Sequence, residues 1–79
     1  MNIISVIDPV ATGRNLNDIR RDRDISVTAL RDILGFSTTN AIYKWFRGDS
    51  LPTLDNMVIL SSVLNVSLND MIITSALYR

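Results

Sequence analysis

Residues 25–36, ISVTALRDILGF, and residues 39–48, TNAIYKWFRG, decide the fold. Ser26 suits a helix N-cap, because its hydroxyl can accept an otherwise unpaired backbone N–H. Leu30, Ile33 and Leu34 then give an inward stripe to a helix over residues 27–34. Gly35 supplies the left-handed backbone that ends it, and Phe36 folds back on the core. The polar cluster Ser37, Thr38, Thr39 and Asn40 opens the next helix, residues 39–47, which stops at Gly48. Ile42, Trp45 and Phe46 are its large apolar residues, and Ala41, Tyr43, Lys44 and Arg47 take the other positions.

Working outward, Asp8-Pro9 reads as the start of a first helix, residues 9–23: Asp caps it and Pro suits its first position. Val10, Leu16 and Ile19 fall on its inner side, with Arg14, Asp18, Arg21 and Asp22 outward. Gly13 inside this helix costs about 1 kcal/mol relative to Ala, which points to close packing against another backbone. Downstream, Asp49-Ser50-Leu51-Pro52 is a turn. Thr53 caps a fourth helix, residues 54–64, with Leu54, Met57, Val58, Leu60, Ser61 and Leu64 inward. Ser67 caps a fifth, residues 68–73, with Asp70 at a capping-box-like spacing. Residues 1–7 are a head, either a strand or loose, and residues 74–79 a tail flanking a core of 8–73. The expectation is one all-α domain spanning residues 1–79, a compact bundle of five helices.

Hydrophobic residues make up 47% of the 79 positions and charged residues 20%, enough for a core and too apolar for a disordered chain. With no His and no Cys, zinc fingers, Cys or His metal clusters, Ser-His-Asp triads and disulfide frameworks are excluded. The three glycines are isolated, so no phosphate loop can be built, and Asp22 and Asp24 do not share a helix face. No enzymatic activity, cofactor, metal or small-molecule substrate is expected. The N-terminus lacks the basic residue and cleavage site of a signal peptide. No apolar run approaches the roughly 20 residues of a membrane span. The chain reads as cytoplasmic, with no membrane partner.

The zero net charge hides a polarised chain. From Arg14 to Arg47 the chain holds Arg14, Arg20, Arg21, Arg23, Arg31, Lys44 and Arg47 against only Asp18, Asp22, Asp24 and Asp32, while the remainder holds Arg79 against Asp8, Asp49, Asp55 and Asp70. A neutral domain can still attract a polyanion with one face; an ordinary mixed surface fits the same distribution.

Two short helices around a glycine turn, crossing through Leu30, Leu34, Ile42 and Trp45, have the shape of a helix-turn-helix. Its second helix can enter the major groove. Residues 7–72 resemble the XRE or phage-repressor (lambda-repressor-like) family of helix-turn-helix domains. The motifs carrying the resemblance are ATGRNLNDIRRDRDIS, VTALRDILGF and NAIYKWFRGDSLPTLDNMVILSSVLNVSLNDMI. The resemblance implies a five-helix bundle whose third helix reads DNA, in a transcriptional regulator, commonly a repressor, that often binds as a homodimer. Two departures stand out: Val27 occupies a position where relatives often carry Gln, and the turn between Gly35 and Ile42 is one residue longer than the commonest pattern.

Carried over position by position, the resemblance puts Thr39, Asn40, Tyr43 and Lys44 against base edges. Asn pairs with adenine, Lys reaches guanine or phosphate, and the Thr methyl meets that of thymine. Backbone contacts fall to Arg14, to Ser26 and Val27 (both through their N–H groups), and to Thr38, Arg47 and Ser50. Each has a plainer reading: Thr39 and Asn40 as caps, Lys44 and Arg47 as a solvated face, Tyr43 as a surface aromatic; Thr38 either joins the base-reading residues or caps the helix. Trp45 reads as core, and Phe46 as a contact to a partner or to the head. Arg20, Arg21 and Arg23, interleaved with Asp22 and Asp24, read as local surface ion pairs. The apolar residues Ile3, Ile4, Val6, Ile73, Leu77 and Tyr78 fit either a homodimer interface or a cover for one subunit's own core. The rival function is a protein-interaction module such as an antitoxin, anti-repressor or adaptor, towards which the neutral total charge and Val27 lean.

Overall fold

The computed structural model describes residues 3–78. In chain order the elements are β1 (Ile3–Ile7), α1 (Pro9–Asp22), α2 (Val27–Leu34), α3 (Asn40–Arg47), α4 (Leu54–Leu64), α5 (Leu68–Met71) and β2 (Thr74–Tyr78). The helical skeleton follows the local capping chemistry. Asp8 Oδ1 accepts the Ala11 N–H at 3.0 Å with Pro9 behind it, Ser26 caps α2, Thr53 caps α4 and Ser67 caps α5. Gly35 and Gly48 end α2 and α3 at φ of 75° and 80°. In the left-handed region a side chain crowds the following carbonyl, and glycine has none.

The all-α expectation is corrected by a small sheet. β1 and β2 pair antiparallel, with Ile3 opposite Tyr78, Ser5 opposite Ala76 and Ile7 opposite Thr74. Neither strand shows the pattern of a half-buried strand, because every described side chain in the ribbon is exposed. What ties it down is α1. The Asp8 N–H donates to the Ile73 carbonyl at 2.8 Å. Thr12, fully buried, accepts the Ile73 N–H at 3.0 Å and donates to the Ile73 carbonyl at 3.2 Å. Asn15 Nδ2 donates to the Asp70 and Met71 carbonyls at 2.8 and 3.0 Å. These polar side chains satisfy backbone groups where α5 gives way to β2, a junction that supplies too few partners of its own.

The core joins Leu16, Val27, Leu30, Ile42, Trp45, Met57, Leu60, Leu64 and Met71. Phe36 does fold back, meeting the Trp45 ring edge-on at 5.7 Å. Gly13 is the close approach: a Cβ there would lie 1.8 Å from the Trp45 carbonyl oxygen, so α1 and α3 touch backbone to backbone. Four residues expected inward are exposed instead: Val10 at 50%, Ile33 at 50%, Leu54 at 76% and Val58 at 53%. At roughly 100° per residue, α2 turns Val27, Leu30 and the partly buried Leu34 inward and α4 buries Met57, Leu60 and Leu64, each a single i, i+3, i+7 stripe. Ile33, Leu54 and Val58 lie beside those stripes, and Val10 rests against Gly48 at the end of α3. The fifth helix is also shorter than expected, stopping at Met71 before the chain extends into β2.

Candidate nucleic-acid interface

α3 is strongly two-sided. Ile42 and Trp45 are buried, at 0% and 5% exposure, while Asn40, Tyr43, Lys44 and Arg47 are exposed. Spaced i, i+3, i+4 and i+7, these four occupy an arc of roughly 100° opposite the buried pair. The core therefore fixes which side faces outward: rotating α3 to hide Lys44 would expose Trp45.

Capping at the start of α3 falls to Thr38, whose Oγ1 accepts the Asn40 N–H at 3.3 Å. Thr39 is half-buried and makes no side-chain cap bond, so of the residues expected as caps here it is Thr38 that accepts a backbone N–H. At the other end Arg47 donates to Asp49 at 2.9 Å, both side chains being more than half exposed. A pair so exposed contributes little to stability.

The expected backbone-contact residues are more dispersed. Arg14, Ser26 and Ser50 are exposed, on α1, at the start of α2 and in the loop after α3. Among the described residues no hydrogen bond or ion pair links them to the outer face of α3. Val27 is buried as a side chain, so only its N–H is available; with that of Thr28 it opens α2, where backbone donors lack intrahelical acceptors. Ser26 Oγ takes the next one, from Ala29, at 3.0 Å. A depression of about 280 Å³ lies beside this helix start, lined by Arg20, Arg21, Asp24, Ile25 and Ser26.

The local arginine–aspartate pairs expected near the end of α1 do not form. Among the described residues the ion pairs are Arg31–Asp32 and Arg47–Asp49, each at 2.9 Å. Arg23 Nε instead donates to the Leu64 carbonyl at 2.9 Å, at the negative end of α4. Arg20 lies over the Phe46 ring at 5.4 Å and donates to the Ile25 carbonyl at 3.3 Å. Phe46 is thereby packed against α1 and the core, a contact to its own chain that sequence reasoning missed. Nothing within α3 announces it, because Arg20 and Phe46 meet only when two helices cross.

A helix-turn-helix profile (HTH_3) matches residues 16–71, well over half of the chain. The chain belongs to the helix-turn-helix family of the XRE and lambda-repressor-like type. Membership supports a DNA-binding transcriptional regulator. Among solved structures the chain is similar to the restriction-modification controller protein C.AhdI from Aeromonas hydrophila, with a TM-score of 0.71 and 22% sequence identity. The match covers 81% of this chain and 96% of that one, and at that identity it establishes the shared fold. No curated protein sequence matches the chain. Among the described residues no helix is long and apolar enough to cross a membrane.

Proposed function

We propose that this helix-turn-helix domain is a sequence-specific double-stranded-DNA-binding regulator, a repressor, that reads the major groove with α3. The observation that carries the reading is the outward arc of Asn40, Tyr43, Lys44 and Arg47, held by the burial of Ile42 and Trp45. In this reading Thr39, Asn40, Tyr43 and Lys44 meet base edges. Arg14, Thr38, Arg47, Ser50 and the first N–H groups of α2, at Ser26 and Val27, hold phosphates. Phosphate contacts supply affinity and fix register, while base-edge contacts supply discrimination. No reaction is assigned to the domain.

One module makes few base contacts. A homodimer that places two reading helices about 34 Å apart along the duplex multiplies them. The β1–β2 ribbon supports that reading: it is uncharged, and Ile3, Ile4, Val6 and Leu77 stand exposed on it, with Ile73 at its base. The Tyr78 side chain, also expected there, lies outside the described residues. The same ribbon, beside the zero net charge and the apolar Val27 at the start of α2, favours the second reading, a protein-interaction module.

Selection of bound duplexes from random DNA at two salt concentrations tests the function. The expected result is a palindromic site whose affinity falls steeply with salt. Recovery of random sequence at both concentrations overturns the reading.

A further inference from the structure

Three side chains from two helices form a continuous stack that ends on the outer face of α3. Tyr43 and Phe46 are one helical turn apart, and their rings meet edge to face, 6.1 Å between centroids at 88°. That is within the favourable range for aromatic pairs. The Arg20 guanidinium lies 5.4 Å from the Phe46 centroid, close enough for a cation–π contact. Arg20 is itself held by the Ile25 carbonyl at 3.3 Å, and its Nε is buried without a hydrogen-bond partner. The guanidinium thus has the Phe46 ring face where a carboxylate would otherwise be expected. Tyr43 is 46% exposed, so one side of it rests on Phe46 and the other faces solvent.

We propose that Phe46 is a positioning residue: backed by Arg20, it fixes the Tyr43 ring in the orientation that discriminates one base pair of the bound duplex. This rests on α3 being the reading helix. An exposed tyrosine on a helix surface samples several rotamers and contributes little selectivity. One braced against a fixed ring has already lost that freedom, so docking costs less and the wrong base is rejected more sharply. Phe46 touches no DNA in this arrangement and acts only through Tyr43.

The test compares Phe46→Leu, which keeps an apolar group of similar reach but removes the ring, with Phe46→Tyr, which restores the ring. Each variant is assayed on the selected duplex and on random duplex, under conditions where Trp45 emission reports the folded state. Phe46→Leu is expected to weaken the selected duplex on the order of tenfold, to leave random-duplex affinity unchanged, and to relax preference at a single position. Phe46→Tyr retains the preference. Adding Phe46→Leu to Tyr43→Ala is expected to cost nothing further at that position. A Phe46→Leu protein with full preference, or an additive double variant, overturns the inference while leaving DNA reading intact. A parent protein that fails to distinguish the selected from the random duplex overturns the DNA reading itself, and this inference with it.

Discussion

Gly13 and Trp45 show how much a single residue decides here. The missing Cβ at Gly13 lets α1 rest on the Trp45 carbonyl, and the Trp45 side chain fills the space beneath. Gly13→Ala must push the helices apart, so a loss on the order of 3 kcal/mol is expected in chemical denaturation. An unchanged midpoint would show that α1 and α3 can separate freely. Trp45→Ala leaves a cavity and is expected to cost on the order of 3–5 kcal/mol, read as a fall in melting temperature. Asp24 runs the other way. It is an exposed non-glycine residue at φ 58°, where an L side chain is strained. Asp24→Gly is expected to stabilise by about 0.5–1 kcal/mol, and a lower denaturation midpoint would contradict this.

α3 is where stability and recognition separate, because its two sides answer to different partners. Asn40→Ala and Lys44→Ala remove exposed side chains opposite the core, so melting is expected to stay within about 0.5 kcal/mol of the parent. Binding to a selected site is expected to weaken for both. Lys44→Ala should also reduce the slope of log affinity against log salt by about one if the ammonium neutralises a phosphate; an unchanged slope assigns it to a base edge. The stop of α3 at Gly48, the inward Ile42 and Trp45 and the outward polar face were legible in TNAIYKWFRG, because a glycine stop and the helical period are local; its start came one residue later than expected, at Asn40. The place of Phe46 was not. Its neighbour Arg20 is far away in sequence, and the aspartates beside Arg20 made ion pairs look sufficient.

For the whole molecule the β1–β2 ribbon is the element that leaves the bundle. It extends from the bundle with both faces exposed, in a domain 45 Å long and 22 by 20 Å across. A two-stranded ribbon alone is marginal in water, and uncharged strand edges invite pairing. If it joins two copies, Ile4→Lys is expected to convert a sedimenting dimer into a monomer and to lower operator affinity about 100-fold through lost avidity. A parent protein that sediments as a monomer at operator saturation would remove the dimer reading and leave one subunit per site.

The order of the helices, the caps at Asp8, Ser26, Thr53 and Ser67, the glycine stops and the helix-turn-helix itself were determined by the sequence alone, since each depends on residues within a turn or two of one another. The pairing of head and tail was decided only by the tertiary structure. So were the exposure of Val10, Ile33, Leu54 and Val58 and the seat of Arg20 on Phe46. Strand pairing and helix crossing join residues far apart in the chain, and a stripe of apolar residues tells which side of a helix is greasy but not how wide a strip its neighbours will cover.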